Sequence, residues 1–294
     1  MSEDSAQPVQ LVSNLVAPFE RMTPAEAKAL LAEHFGVAAT GLERLDTERD
    51  DSFRVTTATG LVRLSVAHPL EDKQVISMQL AAMIHAAASG MPVPSVVAGP
   101  VAVRGRFAYV LSWLAGGLAR EHAPSAEQLF AAGAALGRLS GALAGFEHPA
   151  AHRAIAWDLA HVGSLPPTPA TQGVIERFRR VVLPALAELP HQVIHNDFHP
   201  GNLLVDAANP DYVVGILDFG DVVYSARVCD LGVALAYLSP GEGTVLDASR
   251  HFVGGFESVT PLLDEEKRLI PDLVAGRLVQ RMLLGAALDR PGGR

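Results

Sequence analysis

The sequence predicts an α+β chain of two lobes, a small β-rich N-terminal lobe over residues 1–115 and a larger, mainly helical lobe over residues 116–294. Three observations predict it. Alternating apolar segments crowd residues 42–113, and helical periodicity with capping signals dominates after Gly116-Gly117. The densest polar cluster, residues 195–202, lies between two short apolar runs of the second part.

The elements follow in order. Thr23-Pro24-Ala25-Glu26 has the form of a capping box with proline at the first helical position, and Gly36 stops that helix. Phe53, Val55 and Thr57 alternate, Ala58-Thr59-Gly60 turns the chain, and residues 61–66 return as a second strand. Val75, Met78, Ala82 and His85 recur at helical spacing, with Gly90 placed to end the helix. Residues 96–103 and 107–113 read as two more strands about the turn Arg104-Gly105-Arg106. Ser125 and Gln128 form a second capping box, before a core stripe of Leu129, Leu136, Leu139, Leu143 and Phe146. Further helices are expected over residues 172–189, 228–238, 243–256 and 261–289.

Composition narrows the function. With 294 residues, 49% hydrophobic and 19% charged, the chain can bury a large core. Its 23 basic against 32 acidic residues oppose a nucleic-acid partner. No uninterrupted apolar run approaches a membrane span, and the N-terminus does not read as a signal peptide. One cysteine, Cys229, permits no internal disulfide and is expected in the core, so a cytoplasmic location is expected.

The chemistry is concentrated in His195-Asn196-Asp197-Phe198-His199-Pro200-Gly201-Asn202 and in Asp218-Phe219-Gly220-Asp221. Residues 203–205 and 212–217 should pair as a hairpin; a turn centred near Pro210 sets Asn202 roughly opposite Asp218. An amide oxygen and a carboxylate suit Mg²⁺, whose remaining ligands are commonly substrate phosphates. Asp197, five residues before Asn202, is the candidate base for an attacking hydroxyl.

His195-x-Asp197-x₄-Asn202 followed by Asp218-Phe219-Gly220 resembles the catalytic and metal-binding loops of protein-kinase-like phosphotransferases. VIHNDFHPGNLLVD and GILDFGDVVYSARVCDLGVALAY are similar to the aminoglycoside phosphotransferase family, the second especially to its hydroxylysine-kinase-like branch. The resemblance implies a bilobal protein-kinase-like fold, ATP or GTP as co-substrate, Mg²⁺ in the cleft, and a small hydroxylated, amine-bearing acceptor. It implies Asp197 as base, Asn202 and Asp218 as Mg²⁺ ligands, His195 as a loop-shaping residue and Asp230 as a brace of the catalytic loop. Residues 48–53, with Ser52, resemble the nucleotide-covering hairpin; Leu111-Ser112-Trp113-Leu114 resembles the interlobe hinge. Asp158, Asp221 and Glu257 are candidate amine-binding acids by charge.

The chain departs from that family at two places. The strand lysine that contacts nucleotide phosphates is replaced by Ser65, with Gln79 on the following helix where an acid or amide belongs, and Arg63 or Lys73 as candidate substitutes. The turn at residues 47–53 also lacks glycine. These departures keep a second expectation open, a weak or inactive nucleotide-binding pseudokinase. A third, a hydrolase with a binuclear metal centre on His195, Asp197, His199 and Asp218, leaves Asn202 without a role.

Overall fold

The computed structural model describes residues 17–47, 49–209, 211–238 and 244–288. Glu48, Pro210, Gly243 and Asp289, which enter the expectations above, lie outside the described residues.

Period-two patterning in the first part produces one antiparallel sheet of β1 (Gly41–Arg44), β2 (Asp51–Thr57), β3 (Gly60–Val66), β4 (Val96–Val103) and β5 (Arg106–Ser112), ordered β1-β2-β3-β5-β4. One face, with Phe53, Val55, Leu64, Val66 and Val110, packs on Leu30 and Leu31 of α1 (Pro24–Phe35). The Thr23–Glu26 capping box starts that helix, and Gly36, at φ +64°, ends it. The register sets Ser52 opposite Ser65 and Ser65 opposite Tyr109, so these three share the other face. That face turns toward α2 (Lys73–Ala88), which Asp72 caps through the Gln74 amide.

The chain leaves this sheet at Ser112 and enters a second one at β6 (Gly117–Leu118), which pairs with β8 (Leu203–Val205); β8 pairs in turn with β9 (Val213–Ile216). A separate ribbon pairs β7 (His191–Ile194) with β10 (Val223–Ala226). The helices of the second part are α3 (Ala126–Leu143), α4 (Gln172–Arg177), α5 (Leu183–Ala187), α6 (Val228–Leu235), α7 (Val245–Glu257) and α8 (Asp264–Leu288). The single helix expected over residues 172–189 is interrupted by a π-turn, Phe178–Val182. It falls directly ahead of Pro184, which has no N–H to continue the ladder.

One apolar cluster runs through both parts, joining Met78 and Met83 of α2 and Tyr109 of β5 to Leu136 and Leu139 of α3, Ile216 of β9, Phe198, Phe219 and Phe256. The α3 and α7 backbones touch: a Cβ on Gly133 would stand 1.9 Å from the Phe252 carbonyl oxygen, and one on Gly255 1.9 Å from that of Phe130. No helix among the described residues is long and apolar enough to cross a membrane.

Because the clash at Gly133 is with backbone, relief requires the two helices to separate. Gly133→Ala is expected to destabilise the fold by about 1–3 kcal/mol, read as a lower urea midpoint at unchanged m-value.

Candidate active site

The apolar β7 delivers the chain to a polar loop whose first two amides have no strand partner. Both are taken by one side chain: Asp230 on α6, 1% exposed, accepts from His195 N at 3.0 Å and Asn196 N at 2.5 Å. Asn196 turns the backbone at φ +64°, a conformation asparagine tolerates better than most residues. The turn projects Asp197 away from the β7 ladder.

His195 is fully buried, edge-on to the Phe219 ring. Its Nδ1 accepts from the Asp197 amide at 3.3 Å, which leaves Nε2 to donate to the Leu217 carbonyl at 3.1 Å. The two polar loops are thereby tied together. A second tie runs from the Leu217 amide to the Asn202 carbonyl at 2.8 Å. Register corrects the sequence expectation by one residue: Leu203 faces Ile216, so Asn202 faces Leu217 rather than Asp218. An irregularity between Leu204 and Val205 shifts the pairing. Asp218, next along, is exposed at φ +60°, its Oδ1 accepting from the Gly220 amide at 3.0 Å.

Asn202 donates through Nδ2 to the Asp197 carboxylate at 2.7 Å and to its carbonyl at 3.1 Å. Both amide hydrogens are spent on Asp197, which leaves Oδ1 as the side chain's acceptor, on a residue whose backbone adjoins the Asp218 loop through Leu217. Such a pair of oxygen donors fits a hard divalent cation.

Asp197 is held on two sides. Oδ1 accepts from Arg277 of α8 at 3.0 Å; Oδ2 accepts from Asn202 and faces His199 Nε2 at 3.4 Å. His199 Nδ1 accepts from the Gly201 amide at 3.0 Å, so Nε2 carries the proton toward Asp197. Burial pushes the Asp197 carboxyl up, but the His199 hydrogen bond and the charge of Arg277 work against it, and the group is held below its ordinary value. Asp221 goes the other way: crowded by protein atoms although half-buried by surface, its carboxyl is pushed up to about 7 by that crowding and by Asp197 and Asp218, against Arg277 and Arg153.

The first sheet presents its own groups to this side. Arg63 donates to Ser52 Oγ at 3.0 Å; Ser65, fully buried, stands between Ser52 and Tyr109 in the register. Lys73 is exposed at the first position of α2. Gln79 does not reach for a cation but donates to the Gly220 carbonyl at 3.1 Å, joining α2 to the Asp218 loop. Asp50, ahead of β2, accepts from the His68 amide at 3.1 Å. Crowding, with Asp218 and Glu71 adding repulsion, pushes its carboxyl up to about 6 despite the His68 bond and Arg63. At the chain crossing between sheets, Ser112 Oγ accepts from the Ser95 amide at 2.9 Å, and Leu114 is half-buried against the position of Gly215.

Two of the amine-binding candidates already have protein partners. Asp158 caps the turn Leu159–Ser164 through Ala160 N and accepts from Ser225 Oγ; Glu257 pairs with Lys267 at 2.7 Å. Asp221 alone of the three lies with Asp197. The hydrolase alternative also fails, since His195 and His199 commit both ring nitrogens to local contacts, and among the described residues no group of three or more His, Cys, Asp or Glu side chains is arranged to hold a metal. Arg277 escaped the sequence because it belongs to no local motif, whereas Asp50 lies within residues 48–53 but the resemblance gives it no role of its own there. The signal of Arg277, a charge in a mostly apolar stretch, is shared by many surface positions.

The sequence profile of the phosphotransferase enzyme family matches residues 42–262. Hydroxylysine kinase of Mus musculus is 27% identical over 307 residues, covering 90% of this chain and 82% of the mouse enzyme. Among solved structures, a microcompartment-associated aminopropanol kinase superposes with a TM-score of 0.68 at 19% identity, covering 90% of this chain and 88% of its own. An aminoglycoside phosphotransferase of Streptomyces rimosus, in complex with ADP and streptomycin, gives 0.61 at 17% identity, with 87% and 99% covered. These likenesses establish the protein-kinase-like, two-lobed α+β fold.

Replacing Asp230 by alanine strands two buried amides; Asp230→Ala is expected to lose about 1–3 kcal/mol for each, measured by chemical denaturation. Asp50 supplies a pH test. Its folded value of about 6 lies above the ordinary 3.8, so its contribution to stability is full below the ordinary value and lost as pH rises through the folded one. In metal-free protein the melting temperature of Asp50→Asn should fall less than that of wild type between about pH 5 and 7.5.

Proposed function

Since the chain belongs to the phosphotransferase enzyme family, we propose that it transfers the γ-phosphoryl group of ATP or GTP to a hydroxyl of a small amine-bearing acceptor, an amino alcohol or amino acid of the hydroxylysine type. Residues 1–115 form the nucleotide lobe in this assignment, and 116–294 the catalytic and acceptor lobe. The observation that carries it is the linked set Asp197, Asn202 and Asp218: one base and two oxygen donors held by shared hydrogen bonds on adjoining loops.

In the proposed step Asp197 accepts the acceptor's proton as its oxygen bonds to the γ-phosphorus. The bond from that phosphorus to the bridging oxygen breaks, and a nucleoside diphosphate leaves. Mg²⁺, held by Asn202 and Asp218, would supply neutralisation of the phosphate charge. The chain's own part is orientation. Arg277 and Asn202 fix the Asp197 carboxylate in one plane, His195 and Asp230 fix its backbone, and Gln79 fixes the turn after Asp218. Ser52, Ser65 and Arg63 face the nucleotide from the sheet, with Ser112 and Leu114 at the hinge beside the base. A cytoplasmic setting agrees with the single, buried Cys229, whose thiol burial pushes well above its ordinary value.

A second reading, a weak or inactive nucleotide-binding pseudokinase, is favoured by one observation. Ser65 places a short neutral group where the resemblance expects an ammonium, and Arg63 is engaged with Ser52. Ser65→Lys would raise turnover in a weak kinase and leave a pseudokinase silent.

Calorimetric titration with ATP and GTP should show Mg²⁺-dependent binding that Asp218→Asn removes. Asp197→Asn should keep nucleotide binding and lower phosphoryl transfer on the order of 10²–10⁴-fold. Failure to bind either nucleotide would overturn the assignment.

A further inference from the structure

We infer that Arg277 is a specificity-determining residue that reads a carboxylate on the acceptor, so that the chain selects hydroxylated amino acids over the amino alcohols that lack that group. The inference rests on Asp197 being the base.

A guanidinium that is 1% exposed is uncommon, and this one has incomplete partners. Nη1 donates to the Trp157 carbonyl at 2.9 Å and Nη2 to Asp197 Oδ1 at 3.0 Å, while Nε is buried with no partner among the described residues. Its plane lies 4.7 Å from the Trp157 ring and 5.6 Å from that of Tyr237. Asn202 holds the other oxygen of Asp197, so the carboxylate has an anchor besides Arg277.

Geometry places Arg277 on the acceptor side. Asn202, the candidate metal ligand, and His199 both approach Oδ2, whereas Arg277 approaches Oδ1. Of the four lone-pair sites of the carboxylate, the one left for an incoming hydroxyl is on Oδ1, beside the guanidinium. Whatever presents its hydroxyl there comes within reach of Arg277.

Charge points the same way. Arg281, one helical turn further along α8, is exposed and lies 4.2 Å from the same Tyr237 ring. Arg281, Tyr237 and Arg277 thus form a cationic and aromatic series that runs from an exposed guanidinium to the buried one bonded to Asp197. An acceptor bearing only ammonium groups would meet repulsion along it. One bearing a carboxylate would meet a planar fork suited to bidentate pairing, with Asp221 available to its ammonium group.

The test compares matched acceptors differing by the carboxylate: 5-hydroxylysine against 1,5-diaminopentan-2-ol, and threonine against 1-aminopropan-2-ol. Wild-type kcat/KM is expected to favour the carboxylate-bearing member of at least one pair by about 10–100-fold. Arg277→Gln should collapse that ratio to within about threefold, and Arg277→Lys, which keeps the charge without the fork, should give an intermediate ratio. Should Arg277→Gln fail to fold, Arg281→Gln at its exposed position is expected to lower the ratio without loss of structure. A ratio near one in the wild type, a preference for the amino alcohols, or a ratio that the variants leave unchanged overturns the inference. So does absence of transfer to all four acceptors while Mg²⁺-dependent nucleotide binding persists. If nucleotide does not bind, or Asp197→Asn transfers as well as wild type, the kinase assignment fails instead.

Discussion

Everything at the site depends on one buried carboxylate accepting two consecutive backbone amides. Asp230 lies on α6, 34 residues beyond Asn196 in sequence, and holds the loop at the point where β7 ends. Without that acceptor the left-handed turn at Asn196 would have to desolvate two N–H groups for nothing. With it, the turn is over-determined, and Asp197, Asn202 and, through His195, the Leu217 carbonyl follow from it in sequence. The packing beneath serves the same end: Phe198 and Phe219 flank His195 and leave its nitrogens no partner but the two loops.

The charges around Asp197 form a balance that the protein alone does not close. Asp197, Asp218, Asp221, Asp50 and Glu71 form a chain of neighbouring acids, against Arg277, Arg153, Arg63 and Arg49. Each of these arginines is directed at protein oxygen: Arg153 at the Gly220 and Val222 carbonyls, Arg49 at Glu71, Arg63 at Ser52, Arg277 at Asp197. A triphosphate entering such a field brings further negative charge into a region of reduced dielectric, where repulsion is costly. In the proposed assignment a divalent cation held by Asn202 and Asp218 would accompany it and change the sign of that encounter.

Local signals in the sequence were strong wherever the physics is local. The Thr23 and Ser125 capping boxes, the Ala58-Thr59-Gly60 turn and the alternation of Phe53 and Val55 fix their own elements, and each appears where its pattern predicts. Asp197, Asn202 and Asp218 were legible because short spacings on two adjoining loops carry them. The register between those loops was less so, since it turns on an irregularity beyond Leu204 that composition does not encode. Arg277 was invisible, standing 80 residues from Asp197. Nothing local distinguishes a buried arginine from a solvated one on an ordinary helix. Asp158 and Glu257 failed as candidates for the converse reason, because carboxylates that look free in a sequence find amide and ammonium partners when the chain folds.

The Gln79 contact with Gly220 bears on control. Where a helix is coupled to a catalytic loop through an ion pair, ionic strength, acidification or a competing phosphate can loosen it. A neutral amide donating to a main-chain carbonyl offers none of those handles. The tie between helix and loop therefore keeps its strength across changes of salt and of pH that would weaken a charged pair.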